Sequence, residues 1–298
     1  MSPDQRDAWI RDALDMAFDA LALWAPLRDA LVYKGGRVLA IRLGGEQRAS
    51  YDLDSNLLLS FTKKHPGREQ QAAVLKELFS DALRAHMESQ DPVRYSLDEV
   101  RVRHTPPNDH PLGWDAFSID VRLSDAALSG IRGLPSVQFD VAAPESLGAR
   151  AVSSLEVGEG VVYAYTLERI AGEKLRAFLS SLPAYRLKVR KPGAVVRTKD
   201  LYDITKILRV HAINDLDFWL AAGEEFRMAC ASRYVDCIGI DSFAEDLEVT
   251  RGIYVGDKTI PSDVSFGEAW ESVEQIIGFW ESQRKLPLTF ALPENLIT

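Results

Sequence analysis

Two short motifs constrain this chain more than any other feature of its sequence. The first is the pair Gly35-Gly36, which follows the apolar residues 31–33. The second is the alternating pair Asp52-x-Asp54. Side chains two apart on a strand point to the same side of it, so this spacing predicts that both carboxylates share one face.

Together, the two motifs predict a site for a metal ion and a nucleotide. Hard divalent cations such as Mg²⁺ prefer carboxylate oxygens, and nucleotidyl transfer uses them to clamp the attacking and leaving oxygens. Glycines let backbone amides approach a triphosphate without obstruction by side chains. An Asp-x-Asp pair alone is also common in loops, so a solvated turn is the alternative interpretation.

A third carboxylate on a neighbouring strand would complete such a metal site, and the sequence offers two. Asp120 lies in the β-like segment 116–123 and Asp140 in the segment 136–142, each between apolar residues. Asp140 stands near the end of its segment, where sites tend to form. We therefore predict Asp140 as the third ligand, with Asp120 as the alternative.

Composition argues against a protein that coats nucleic acid and against a membrane protein. The net charge is −9, and no apolar run approaches the ~20 residues that cross a bilayer. The polar, acidic first residues predict no signal peptide and, by default, a cytoplasmic protein. Two cysteines, Cys230 and Cys237, cannot form a zinc site by themselves and are expected to be buried apolar residues.

Positive charge is concentrated in one part of this acidic chain. The segment 169–211 holds eleven basic and three acidic residues, a net of +8 in a chain of −9, which leaves −17 for the rest. Such a focused charge indicates an anionic substrate held at one place, although a solvated helix face is the alternative. The candidate contacts to a nucleic-acid backbone are Arg186, Lys188, Arg190, Lys191, Arg197 and Lys199.

Hydrophobic periodicity divides the chain into a mixed part and a helical part. Helices are predicted over 4–30, 37–43 and 70–88, and strands over 51–61, 116–123, 136–142 and 161–165. Further helices are predicted over 167–181, 199–211, 213–232 and 266–285. The prediction is an α+β domain over residues 1–165 and a mainly helical domain over residues 166–298.

The helical part carries charged residues that a phosphate-transfer site can use. The stem of Lys174 would lie at the edge of a packed helix face, so that its ammonium reaches a nucleotide phosphate. Asp200 and Asp203 are three apart on one predicted helix, where they would orient Lys174 or Arg197 or position an acceptor hydroxyl. The alternative for these acids is a helix amino terminus favoured by the dipole.

In their order and spacing, the motifs resemble the AbiEii/AbiGii toxin family. The matching blocks are Lys34-Gly35-Gly36, Arg48-x-Ser50-x-Asp52-x-Asp54, Glu168-x-x-x-x-Glu173-Lys174-Leu175-x-Ala177 and Lys199-Asp200-Leu201-Tyr202-Asp203-Ile204. The resemblance covers about residues 30–210. It implies a polymerase-β-like nucleotidyltransferase fold, with a mixed sheet and flanking helices, followed by a helical domain. It also implies the toxin of a two-gene toxin–antitoxin or abortive-infection system, with a cognate antitoxin as partner.

The resemblance further implies roles for single residues. Lys34, Gly35 and Gly36 match the nucleotide-binding turn, and Asp52 and Asp54 match the metal acids. Lys174 and Asp200 match two essential residues of the family. Ser50 is expected to take part in nucleotide binding, and it matches a serine that in similar toxins can be a site of inactivating phosphorylation. Arg37 departs from the family, where Thr or Ser often follows the glycines, and is expected to add a phosphate contact or alter nucleotide choice.

The resulting hypothesis is a Mg²⁺-dependent enzyme that transfers NMP from an NTP to a nucleic acid. Similar toxins extend tRNA 3′ ends and so block aminoacylation, which makes tRNA the preferred acceptor. Lys174 and Arg176 would neutralise the triphosphate. The alternatives are transfer to a protein or small molecule, which the acidity of the chain favours, and a non-catalytic partner-binding module of a defence system.

Overall fold

The computed structural model describes residues 1–45, 47–108, 114–131, 133–189 and 195–293. The helices in these ranges are α1 (Pro3–Leu23), α2 (Ala25–Arg28), α3 (Gly35–Leu43), α4 (Leu59–Lys64), α5 (Arg68–Glu88), α6 (Leu167–Leu179), α7 (Pro183–Lys188), α8 (Thr198–Val210), α9 (Leu216–Arg233), α10 (Leu247–Gly256) and α11 (Phe266–Ser282). The strands are β1 (Leu31–Lys34), β2 (Asp52–Leu57), β3 (Tyr95–Thr105), β4 (Ala116–Asp125), β5 (Val137–Ala142), β6 (Val152–Val157) and β7 (Gly160–Tyr165).

These strands form one mixed sheet in the order β3-β4-β5-β2-β1-β7-β6. β2 runs antiparallel to β1 and parallel to β5, whereas β3, β4 and β5 are antiparallel in turn. β1 pairs in parallel with β7. A mixed sheet with flanking helices, followed by a helical second half, confirms the fold class expected from the sequence.

The sheet has one buried face and one polar face. On β4, Phe117, Ile119 and Val121 are buried and alternate with the polar residues at 118, 120 and 122. Side chains along a strand point to opposite faces in turn, so this alternation separates core from polar surface. Helices α1 and α5 contact the strands, and the rings of Phe79 on α5 and Phe139 on β5 meet edge to face with centroids 5.2 Å apart.

Contacts divide the chain into two compact units. Unit 1 comprises Met1–Val38, Ala49–Glu145 and Ser153–Ala164, and unit 2 comprises Leu39–Arg48, Ser146–Val152 and Tyr165–Thr298. One boundary of this division lies at Tyr165, next to the domain boundary expected from the sequence. The division also assigns two earlier short segments, Leu39–Arg48 and Ser146–Val152, to unit 2. The two contiguous domains expected from the sequence stay a prediction.

Unit 2 is built from helices that pack closely. Helices α6 and α9 approach at Gly172, where a Cβ atom would lie 2.5 Å from the backbone nitrogen of Phe226. Arg169 on α6 is fully buried, and its Nη1 lies 3.2 Å from Oε2 of Glu225 on α9. The position of α6 is therefore fixed by backbone contact and by a buried ion pair.

Most of the predicted helices and strands are present, with several differences. The strand expected over 51–61 ends at Leu57, and α4 begins at Leu59, because one helical turn buries Phe61 while its amide bonds the carbonyl of Leu58. Strands β1, β3 and β6 and helices α7 and α10 were not predicted. Both cysteines are free and buried, as expected. No helix in the described ranges is long and apolar enough to cross a membrane.

Candidate active site

Three carboxylates from two neighbouring strands meet on the polar face of the sheet in unit 1. The parallel register of β2 and β5 pairs Asp54 with Asp140, and Asp52 lies two residues before Asp54 on the same face. One carboxylate oxygen from each of the three residues lies within 4.8 Å of the other two. A set of carboxylate oxygens at this spacing is what hard divalent cations bind, so these residues fit a metal ion.

Of the two candidates for the third acid, the structure brings Asp140 to this cluster. The carboxylate of Asp120 instead lies 2.6 Å from Nη2 of Arg103. Burial and the negative charges of Asp52 and Asp120 raise the pKa of Asp140. A bound cation would offset the part of this rise in pKa that comes from the neighbouring negative charges.

The glycine turn closely approaches one of these acids, Asp54. β1 ends at Lys34, which pairs in register with Asp54, and α3 begins at Gly35. Gly35 has a φ of +83°, in the left-handed region that side chains disfavour. A Cβ atom on Gly35 would also collide with the carboxylate of Asp54. Glycine is therefore required here both by the backbone conformation and by the approach to the acid.

Ser50 and Arg37 lie beside the acids in unit 1. The Ser50 hydroxyl donates to Oδ1 of Asp52 at 2.9 Å. The Arg37 guanidinium bonds the carboxylate of Asp15 on α1 and donates to the Ser50 carbonyl at 3.2 Å. Arg37 therefore connects α1 and α3 to the residues that lead into β2. Its expected phosphate contact stays a prediction.

Unit 2 holds a row of alternating charges centred on Lys174. The Lys174 ammonium on α6 lies 3.0 Å from Oδ1 of Asp200 and 2.5 Å from Oδ2 of Asp203, both on α8. At one end Arg48 donates to both carboxylate oxygens of Asp203, at 2.9 and 2.7 Å. At the other end Arg197 donates to Asp200 at 2.6 Å. We call these five residues the ion network.

The three central members of the ion network are almost completely buried. Lys174, Asp200 and Asp203 are 6%, 1% and 2% exposed. Burial by itself would lower the pKa of Lys174, but the charges of Asp203 and Asp200 raise it above its ordinary value. Burial would likewise raise the pKa of Asp200, but Lys174 and Arg197 lower it well below the usual range. Lys174 and Asp200 are therefore both charged at neutral pH.

The proposed nucleic-acid-binding stretch is partly neutralised by nearby carboxylates. The Lys188 ammonium lies 2.6 Å from Asp236, and Arg197 is held by Asp200, although its side chain is 57% exposed. Arg190 and Lys191 lie outside the described residues. The roles expected for Arg186, Lys199 and the rest of this stretch stay predictions.

Two contacts near the predicted site residues were not foreseen from the sequence. The first is the bond from Arg48 to Asp203. Arg48 belongs to the motif that contains Ser50, Asp52 and Asp54, but no role was predicted for it, and its position two residues before Ser50 was the available signal. Arg176, expected to meet the triphosphate, has its Nη2 3.5 Å from Oε1 of Glu173 one helical turn away.

With the glycine turn, the acid cluster and the ion network in place, the comparison with protein families becomes informative. A family model described as nucleotidyl transferase AbiEii toxin, type IV toxin–antitoxin (TA) system, matches residues 19–270. The chain belongs to this family. It is therefore a nucleotidyltransferase of a toxin family, as the sequence motifs indicated, and an AbiEii protein is expected to use a nucleotide substrate and to have an antitoxin partner.

Comparison with solved structures and with curated proteins adds less to the AbiEii assignment. The chain is similar to an antigenic nucleotidyltransferase-like protein from Paracoccidioides brasiliensis, with 14% identity over 70% of this chain and 78% of that chain and a TM-score of 0.30. This similarity is too low for a comparison of single residues. No curated protein matches the chain.

Proposed function

We propose that this AbiEii-family chain is a Mg²⁺-dependent enzyme that transfers NMP from an NTP to the 3′ end of an RNA, with tRNA as the preferred acceptor. The observation that carries the proposal is the cluster of Asp52, Asp54 and Asp140 beside the Gly35 turn. Mg²⁺ held by these carboxylates would stabilise the charge that develops on the phosphates and lower the pKa of the attacking hydroxyl.

The triphosphate is proposed to lie against the start of α3. The first amides of a helix have no partners within the helix and attract anions, and Gly35 and Gly36 carry no side chain to obstruct them. Lys34 neighbours Asp54 in register, and its ammonium is 4.0 Å from Glu145. Roles for Lys174, Arg176 and Asp200 in the same reaction follow from the family resemblance.

The chemical step is an in-line substitution at the α-phosphorus. The acceptor hydroxyl oxygen forms a bond to the α-phosphorus, the bond from that phosphorus to the β-bridging oxygen breaks, and pyrophosphate leaves. The hydroxyl proton passes to a carboxylate, for which Asp140 is our candidate.

The acceptor is proposed to be held through its phosphate backbone. Positive side chains bind such a backbone through its charge, without reading sequence. The residues proposed for this contact are Arg186, Lys188, Arg190, Lys191, Arg197 and Lys199. Extension of tRNA 3′ ends would block aminoacylation and so inhibit growth.

The proposal is tested by incubating the protein with total tRNA, Mg²⁺ and each labelled NTP in turn. We expect label in tRNA with the wild type and none with Asp52→Ala. An active Asp52→Ala variant, or a wild type that labels nothing, would contradict the proposal. Label in protein bands or small molecules instead of RNA would support the alternative acceptors. Growth inhibition that survives Asp54→Asn would support a non-catalytic binding module.

Regulation at Ser50 is a further part of the proposal. Because the Ser50 hydroxyl already donates to Asp52, a phosphate there would place negative charge against a metal acid. Co-expression with the neighbouring gene product, followed by intact mass measurement, distinguishes this mechanism from a tight antitoxin complex. A mass increase of one phosphate that Ser50→Ala abolishes would support phosphorylation, whereas a stable complex of unmodified protein would contradict it.

A further inference from the structure

A cavity of about 830 Å³ lies within unit 2. One wall is formed by the end of α6 and by α7, and the other by the segment 236–245 that follows α9. None of the described residues that line it belongs to the acid cluster or to the ion network. The volume falls within the range of ~300–1,000 Å³ that is usual for binding sites in proteins. We propose that this cavity is the docking site for a partner protein, which inserts a segment that carries a lysine or arginine beside apolar side chains.

Polar contacts between the two walls fix the shape of the cavity. At the start of α7 the amide of Ala184 donates to Oε2 of Glu245 at 2.9 Å. At the end of α7 the Lys188 ammonium lies 2.6 Å from Oδ2 of Asp236. Both contacts cross from α7 to the opposite wall, so the cavity is formed before any partner binds. A preformed site loses less conformational entropy on binding than one that must be ordered.

The apolar lining consists of a buried floor and an exposed mouth. Leu179 and Leu182 are 4% and 1% exposed, whereas Leu187 and Ile238 also line the cavity but are 78% and 63% exposed. Exposed apolar side chains grouped around a concave surface are typical of interaction sites. Because Leu187 and Ile238 lie at the opening, an occupant that covers them must extend beyond the cavity, as a protein segment does and a small metabolite does not.

The charge of the lining favours a cationic occupant. The described lining residues include three carboxylates, Asp236, Asp241 and Glu245, and one cation, Lys188, so that their net charge is −2. Lys188 is already paired with Asp236, which leaves Asp241 and Glu245 as the surplus acids. Apolar walls with surplus carboxylates complement a segment in which a lysine or arginine lies next to apolar side chains, because both kinds of contact then form together.

The partner that we assign to the cavity is the antitoxin. The family that contains this chain is described as a toxin of a toxin–antitoxin system, so a protein partner is expected. The inference concerns how that partner is recognised and does not depend on the nucleotide-transfer reaction. Docking at the cavity suits both a stable complex and a short-lived contact that precedes phosphorylation of Ser50.

The test is a calorimetric titration of the full chain with the purified product of the neighbouring gene. We expect Ile238→Ser to weaken binding by about tenfold, in the range that an apolar interface anchor contributes. Asp241→Asn/Glu245→Gln should also weaken binding and should reduce its dependence on salt, because two charges are lost. Val255→Ser, which removes a 74% exposed valine on α10 outside the cavity lining, is the matched control and should bind as the wild type does.

Folding and activity are followed in parallel. Ile238 and Asp241 are exposed, so the variants should keep the melting temperature of the wild type, and transfer of NMP without the partner should be unchanged. If Ile238→Ser does not fold, Leu187→Ser takes its place.

Wild-type affinity in both the serine variant and the double charge variant would overturn the docking site, as would a wild type that does not bind the partner. Dimerisation of the chain that Ile238→Ser abolishes, measured by light scattering, would assign the cavity to a second copy and would also overturn the inference. A wild type that binds the partner through these residues but transfers no NMP would support the docking site and contradict the proposed function alone.

Discussion

The acid cluster in unit 1 and the ion network in unit 2 use similar residues in opposite ways. In the acid cluster, three carboxylates lie together, and burial together with the negative charges of Asp52 and Asp120 raises the pKa of Asp140. In the ion network, cations separate the two carboxylates and the pKa of Asp200 is lowered. The first arrangement favours an added cation, whereas the second is already neutralised from within the protein.

This difference shows which acids are expected to act on a ligand and which to act on the protein. Sheet register holds Asp54 beside Asp140 whether or not their charges are favourable. Such strain is typical of sites where function takes precedence over stability. The ion network instead pairs its acids with cations, so its loss is expected to destabilise the helices α6 and α8 that carry its three central members. Substitutions in the two regions should therefore change activity and stability in different combinations.

The largest effect on activity is expected at the acid cluster. Asp140→Asn should lower the rate of NMP transfer by at least ~10²-fold, because it removes a proposed metal ligand that is also the candidate proton acceptor. Its melting temperature should equal or exceed that of the wild type, because repulsion among the carboxylates is reduced. Asp120→Asn, which affects an acid paired with Arg103, is the control and should retain most activity. Equal losses in both variants would contradict the choice of Asp140.

The ion network should show the opposite combination, with stability lost together with activity. Lys174→Met removes the buried cation between Asp200 and Asp203, which should lower the free energy of unfolding by about 3–5 kcal/mol. The double variant Lys174→Met/Asp200→Asn should recover part of this loss, because the Arg48–Asp203 pair stays intact. Its transfer activity should stay low. Chemical denaturation and the transfer assay together test this prediction, and a fully stable Lys174→Met would refute it.

Gly35→Ala should lower both the stability of the protein and metal binding at the acid cluster. The positive φ disfavours alanine, which typically costs about 1–3 kcal/mol, and the new methyl group would push against the Asp54 carboxylate. Gly44→Ala is the matched control, because its φ is also positive at +66° but a Cβ there meets nothing within 4 Å. We expect similar destabilisation in the two variants but much weaker Mn²⁺ binding only in Gly35→Ala. Equal Mn²⁺ affinity would show that Asp54 tolerates the methyl group.

Acid pH should change the stability of the two regions in opposite directions. The pKa of Asp200 is lowered, so its contribution is present above the unfolded value of about 3.9 and is lost as pH falls below it. The pKa of Asp140 is raised, so protonation favours the folded state, and the advantage of Asp140→Asn should disappear at low pH. Denaturation of Asp140→Asn, Asp200→Asn and wild type between pH 2 and 7 measures both trends. Parallel curves for all three proteins would contradict this assignment.

The sequence predicted local features well and long-range pairing poorly. The glycine turn and the spacing of Asp52 and Asp54 are visible in a short window, because a turn and the period of a strand are local properties. The preference for Asp140 rested on its place near a strand end, whereas in the structure it depends on the parallel pairing of β5 with β2. The bond between Arg48 and Asp203 joins residues 155 positions apart, and nothing local indicates it.

Strands that carry many charged residues were also difficult to predict from the sequence. β3 was not predicted because exposed acidic and basic residues such as Asp98, Arg101 and Arg103 occupy its polar face. Only its pairing with β4, over the whole length from Tyr95 to Thr105, shows that the segment is a strand. Pairing energy and one buried face therefore determined a structure that residue preferences did not indicate.

The smallest effect is expected where the ion network meets solvent, at Arg197. Arg197→Gln should lower the free energy of unfolding by no more than about 1 kcal/mol, because its side chain is 57% exposed and Lys174 still pairs with Asp200. If Arg197 also contacts a single-stranded acceptor, RNA affinity should fall and the slope of log K against log salt should decrease by about 0.7. Lys188→Gln should change the slope less, because that side chain is only 21% exposed and its ammonium is held by both Asp236 and the carbonyl of Phe290. An unchanged salt slope in Arg197→Gln would show that Arg197 does not contact the acceptor. Arg197 would then act only within the ion network, and other cations would bind the acceptor.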